Sequence, residues 1–252
     1  EGVYCLMPGH YLWYKDGKVT TTRYWEARFE PDESLTEEQA IDEIEKVFEN
    51  SVNAHKISDV EVGCFLSSGV DSSYVSTYFA DQKTFTVGFD FGEKYNEISW
   101  AQRLSKKIGV DHHYKLIKSE EFWGSIKKVQ YHMDQPLADP SCIALYFVSK
   151  IASEHVKVVL SGEGADELFG GYTCYNDPRV FKVYQKLVPY GLRKGICSLM
   201  KKLPDIKGRD YLIRATHPLE DRFIGNAFMY DLDEKKKILK DPSIATRPQD
   251  KC

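Results

Sequence analysis

The sequence predicts an α/β protein built on a doubly wound parallel sheet, preceded by a short β-hairpin and followed by a few helices. Three observations point there. Four short strand-like runs, VEVGCFL at 60–66, TFTVGF at 84–89, HHYKLI at 112–117 and VKVVLSG at 156–162, recur along the chain, the first almost continuously apolar as in a strand buried on both faces. Stretches of helical spacing separate them, and right-handed crossovers then lay the strands side by side and parallel. Small-residue turns follow the first and last of these strands, at the edge where such sheets bind their ligands.

Taken in order, YLWYKDGKVTTTRYW at 11–25 alternates apolar and polar residues about Asp16-Gly17, the signature of a two-residue hairpin. Pro31 and Asp32 break it off. Ser34 to Glu37 fits a capping box, and Ile41, Ile44, Val47 and Phe48 follow at helical spacing, so a helix is expected over about 36–55. Helices are then expected at 71–80, 95–109, 119–133 and 141–154, each between the strands named above. Beyond Gly171, Pro178, Pro189, Pro204 and Pro218 punctuate several short helices beside the sheet. The tail at 241–252 has no periodicity and is expected to lack order.

Composition narrows the function. The 252 residues are 42% hydrophobic and 13% aromatic, enough for a sizeable core. Thirty-four Lys and Arg against 38 Asp and Glu give a net charge of −4 with the signs mixed, so no nucleic acid is expected as a partner. The basic stretch from Lys182 to Arg209 reads as a solvated helical face. Cysteines at 5, 64, 142, 174, 197 and 252 form no CxxC pair, which fits reduced thiols in a cytoplasmic protein, with Cys64 in the core. No run approaches the roughly 18 to 20 apolar residues of a membrane span, and no signal segment opens the chain, so no membrane partner is expected. His112, His113 and the remaining histidines lack metal-ligand spacing and are read as structural. The chain begins at Glu1 without a methionine, which suggests a fragment or a processed product.

The loop FLSSGVDSS at 65–73 carries the chemistry. A strand that ends there and feeds a helix offers backbone N–H groups from Ser67 to Ser73, the positive end of a helix dipole and four serine hydroxyls. Phosphate oxygens match those donors. The lysine of a Walker loop is missing, and Asp71 stands in its place. An acid beside phosphates makes sense when Mg2+ lies between them, since Mg2+ takes one or two carboxylates plus phosphate oxygens. The second loop, LSGEGADELFGGY at 160–172, gathers Glu163, Asp166 and Glu167 on a glycine-rich turn after a strand. Acids so crowded call for a compensating cation or basic ligand. Both loops leave the same edge of the expected sheet, so Asp71 and Asp166 are expected to share one Mg2+.

Together these two motifs resemble the ATP pyrophosphatase (PP-loop) family and, within it, the synthetase domain of the glutamine-hydrolysing asparagine synthetases. PGHYLWYKDGKVTTTRYW at 8–25, KTFTVGF at 83–89 and DQPLADPSCIALY at 134–146 extend the likeness over about residues 8–175. The resemblance implies an adenine nucleotide alpha hydrolase-like fold, with the end of a glutaminase domain and a linker hairpin at 1–30 and a truncated synthetase domain at 31–240. It implies ATP cleavage between the α and β phosphates, activation of the aspartate side chain as β-aspartyl-AMP, and displacement of AMP by ammonia. Leu66, Val87, Ser161 and Gly162 fall where the family holds adenosine; Ser67, Ser68, Gly69, Asp71 and Ser72 fall in the pyrophosphate loop. Asp71 and Asp166 match the Mg2+-pyrophosphate acids, Glu163 matches the glutamate serving the acyl-adenylate and its attack by ammonia, and Glu167 is assigned to aspartate. The physics agrees, because preorganised N–H groups and a metal meet the charge on departing pyrophosphate, and Glu163 can take a proton from ammonium.

Ser68 departs from a glycine common at its place in the motif. The family's glutaminase cysteine and its C-terminal helical region are absent from this sequence, so glutamine hydrolysis is expected to be missing and synthetase turnover weak or nil. The glutaminase domain of the full-length chain is an expected partner, and a homodimer stays open. Two other readings stay open as well: a β-lactam synthetase-like carboxylate adenylation, and a nucleotide-binding module without catalysis.

Overall fold

A computed structural model describes residues 4–80, 82–92, 96–134, 137, 139–172, 175–204, 206–217, 230 and 232–245. The chain divides into two compact units, 1–51 and 52–252.

In the first unit, β1 (His10–Lys15) and β2 (Lys18–Arg23) pair antiparallel with Lys15 opposite Lys18. Asp16 and Gly17 both take positive φ, 52° and 76°, as a two-residue turn matched to strand twist requires. Helix α1 (Glu37–His55) follows and runs past the division. Its capping box is shifted from the expected one. Ser34 is held by the Asp32 carboxylate, which accepts from its N–H at 2.9 Å and its hydroxyl at 2.6 Å. Thr36 and Gln39 close the box instead: the Thr36 N–H donates to Gln39 Oε1 at 2.9 Å, and the Gln39 N–H donates to Thr36 Oγ1 at 3.3 Å. Both pairs fit the same sequence pattern, and the Asx turn at Asp32 decides between them.

The second unit is the predicted α/β core. Strands β3 (Val62–Phe65), β4 (Lys83–Phe89), β5 (Asp111–Ile117) and β6 (Val158–Leu160) form one sheet in the order β5-β4-β3-β6, every neighbouring pair parallel. Helices α2 (Val70–Ser76), α3 (Ile98–Ile108), α4 (Ser119–His132) and α5 (Ser141–Ser153) lie between them in sequence. Helix α2 stops short of the expected residue 80. The Tyr78 and Phe79 N–H groups bond three residues back, to Val75 and Ser76, and Lys56 Nζ donates to the Tyr78 carbonyl at 2.7 Å. These tighter bonds end the α-helix.

Phe85 of β4 is fully buried against Val148, Ala152 and Val156, and Ile117 of β5 against Val129, Cys142, Ile143 and Phe147. Cys64 is buried as expected, and burial pushes its thiol up to about 12. Such a group is inert at neutral pH. Cys5, Cys64, Cys142 and Cys197 are all free thiols.

After β6 come α6 (Ala165–Phe169), α7 (Arg179–Leu187), α8 (Tyr190–Lys201), α9 (Arg209–Thr216) and α10 (Leu232–Ile238). Two residues of the basic stretch close this layer. Arg193 Nη1 donates to the Thr216 carbonyl at 2.7 Å, and Arg209 Nε donates to the Met200 carbonyl at 3.1 Å. The first residues of the expected tail contain one short turn. Pro242–Ile244 make a 3-10 turn because the Asp241 carboxylate accepts from both the N–H and the hydroxyl of Ser243. Residues 246–252 lie outside the described set, and no helix among the described residues is long and apolar enough to cross a membrane.

Candidate functional site

The two predicted loops leave neighbouring strands in the same direction. β3 and β6 pair in parallel with Cys64 beside Leu160, so residues 66–73 and 161–164 emerge together. Leu66 closes β3: its N–H donates to the Phe85 carbonyl at 2.9 Å, and its own carbonyl accepts from Thr86 Oγ1 at 2.5 Å. Thr86 was not a predicted site residue, yet it pins the root of the loop.

Within the loop most of the polar groups are bonded to one another. The Ser67 N–H donates to Ser72 Oγ at 3.1 Å, the two hydroxyls lie 2.6 Å apart, and the Gly69 N–H donates to Ser67 Oγ at 3.1 Å. Ser73 donates its N–H and hydroxyl to the Gly69 carbonyl, at 3.2 and 2.7 Å. The Ser68 N–H donates to Glu97 Oε2 at 3.1 Å. The expected row of open donors from Ser67 to Ser73 is thereby reduced to the first turn of α2, where the Val70, Asp71 and Ser72 N–H groups have no intrahelical partner. Glu97, just ahead of α3, is a neighbour that the motif alone did not reveal. The only hint was an acid beside Asn96 at a helix start, which reads more simply as a cap.

The loops touch at Gly162. Gly162 packs so closely on the start of α2 that a Cβ there would sit 2.8 Å from the Ser72 nitrogen and 3.0 Å from the Asp71 carbonyl carbon. Only a residue without a side chain fits. Next to it Glu163 is exposed, and Gly164 turns the chain at φ 95° into α6. Asp166 is half-buried, its carboxylate folded against Gly171, whose N–H bonds the Asp166 carbonyl at 2.9 Å. Glu167 accepts from the Tyr172 hydroxyl at 2.8 Å. That bond, with the field of Asp166 and Glu163, pushes the Tyr172 phenol up to about 12. Val87 sits one strand over in β4 and packs into the core, and Ser161 is exposed at the end of β6.

Among the described residues no three His, Cys, Asp or Glu side chains converge as a metal site. A cation bound here needs oxygen ligands from elsewhere. Two carboxylates on adjoining loops, completed by phosphate oxygens, is the donor set that suits Mg2+.

The family model described as asparagine synthase matches residues 43–242, most of the chain and both loops. The chain belongs to the asparagine synthase family. Among its relatives, Bacillus subtilis asparagine synthetase (glutamine-hydrolyzing) 1 is 39% identical over 239 residues, covering 92% of this chain and 37% of that protein. B. subtilis asparagine synthetase (glutamine-hydrolyzing) 3 is 26% identical over 195 residues, 70% of this chain and 31% of that protein. A Gibberella zeae protein named Amidase chry2 is 31% identical over 199 residues, 69% of this chain and 30% of that protein. The chain thus spans about a third of the length of these relatives.

Proposed function

We propose that this chain is the ATP-handling part of an amide-forming ligase that converts aspartate and ammonia to asparagine. In this reading an aspartate β-carboxylate oxygen attacks the α phosphorus, the bond from that phosphorus to the bridging oxygen breaks, and pyrophosphate departs. Ammonia then attacks the β-aspartyl-AMP acyl carbon, AMP leaves with the bonding pair, and Glu163 takes the proton that nitrogen loses. No protein nucleophile is needed.

The observation that carries the reading is the contact of Gly162 with Asp71 and Ser72. It sets the acid-rich turn of β6 against the helix start that presents N–H groups to an anion, so one polyphosphate can reach both. Leu66, Val87, Ser161 and Gly162 are assigned to adenosine, Ser67, Ser68, Gly69 and Ser72 to pyrophosphate, and Glu167 to aspartate. Asp71 and Asp166 would hold Mg2+, which when bound offsets charge on the leaving pyrophosphate. Residues 1–30 are assigned to the end of a glutaminase domain and its linker, 31–240 to the synthetase domain, and the site of action to the cytoplasm. A homodimer fits this reading.

Calorimetric titration with pyrophosphate and with ATP, each with and without Mg2+, tests it. The Mg2+-dependent gain in affinity is expected to fall at least about tenfold in Asp71→Ala and in Asp166→Ala. An unchanged Mg2+ gain in Asp71→Ala refutes the assignment.

A further inference from the structure

The bond between Glu97 and Ser68 is unusual in where both partners come from. Glu97 stands at the N-cap position of α3, with φ −83° and ψ −8°, and its carboxylate caps nothing in its own helix. The adjacent Asn96 does that work, accepting from the Ile98 N–H at 3.2 Å. The Glu97 carboxylate instead crosses 29 residues of sequence to take the Ser68 N–H. Burial does not demand this bond, because Ser68 is exposed and water would satisfy its N–H equally well. Nor does loop shape depend on it, since the serine hydroxyls already hold Ser67, Gly69 and Ser73. What Glu97 brings is a negative charge and two acceptor oxygens, the recognition chemistry of a phosphate edge.

We propose that Glu97 is a built-in occupant of the pyrophosphate loop. It holds the Ser68 N–H while the loop has no anion, gives way when a polyphosphate binds, and returns as pyrophosphate leaves. The inference rests on the proposed function above and adds a role in product release for a residue outside both motifs. Glu97 acts by competition for one donor. It is a positioning residue and takes no part in bond making.

The test compares wild type with Glu97→Gln and Glu97→Ala, using pyrophosphate as the probe, by calorimetry without and with Mg2+. Gln keeps an acceptor for Ser68 but not the charge, so it separates electrostatic competition from loop support. Removal of one half-buried like charge is expected to tighten metal-free pyrophosphate binding about three- to tenfold in both variants. Hydrogen exchange at the Ser68 amide is read in parallel. In wild type its protection should come from Glu97 without pyrophosphate and be lost in Glu97→Ala, whereas with pyrophosphate bound it should be the same in both proteins. Equal pyrophosphate affinity in all three proteins overturns the inference and leaves the proposed function standing. Weaker Mg2+-pyrophosphate binding in Glu97→Gln also overturns it, since that result makes Glu97 a metal ligand. Absence of pyrophosphate binding in wild type and variants alike overturns the loop assignment, and the inference with it.

Discussion

Gly162→Ala probes the contact on which the site depends. The new methyl carbon would lie 2.8 Å from the Ser72 nitrogen, 3.0 Å from the Asp71 carbonyl carbon and 3.1 Å from Ser72 Cα. Unstrained contacts of carbon fall at about 3.5–4.0 Å, so one loop must withdraw by roughly 0.5–1 Å. All three neighbours are backbone, so no side chain can swing aside, and overpacking of this kind costs about 1–3 kcal/mol. The withdrawal also carries the Asp71 and Ser72 N–H groups away from the β6 turn. Urea unfolding should show the stability loss, and pyrophosphate titration with Mg2+ should show affinity lower by about tenfold or more. Gly124→Ala is the control: a Cβ on that exposed glycine of α4 meets nothing within 4 Å, and it should gain about 0.5–1 kcal/mol by helix propensity alone. A Gly162→Ala protein within about 0.5 kcal/mol of wild type and with unaltered pyrophosphate affinity would refute the close approach of the two loops.

Two further outcomes test the scaffold. Burial, reinforced by His113 and opposed by Asp111, lowers the His112 imidazole to about 4, and its buried Nε2 has no hydrogen-bond partner among the described residues. The unfolded chain takes up that proton near pH 6.5 and the folded chain near 4, so this stabilisation is complete above 6.5 and is lost as pH falls towards 4. After allowance for partial exposure, the difference between pH 7 and pH 5 is about 1 kcal/mol, to be read as the part of the urea-midpoint shift that disappears in His112→Phe. Phe85→Ala removes a fully buried ring that rests on Val148, Ala152 and Val156, and a loss of about 3–5 kcal/mol is expected in the same assay, a value under 1 arguing against the core described.

The strands were legible because parallel strands buried on both faces leave apolar runs that few other elements produce, and VEVGCFL and TFTVGF lie where β3 and β4 form. The two candidate loops were legible as well. Their small residues, glycines and acids follow neither the strand nor the helix period, so they stand out against the periodic segments around them. Periodicity was weaker at boundaries. Ser34 and Thr36 both offered a cap, and an Asx turn chose Thr36; α2 ended early because Lys56 bonds the Tyr78 carbonyl.

By itself, then, the order of residues determined which segments become strands, that parallel pairing follows, and which two strand-end turns gather small residues, glycines and acids. These are local matters of spacing, backbone freedom and charge. The tertiary structure alone decided which strands are neighbours, and β6 beside β3 is what brings Gly162 onto Asp71 and Ser72. It also decided which loop donors stay open and that Glu97 answers one of them. Hydrogen bonds between residues far apart in the chain depend on distances that only folding sets, and no local pattern records them.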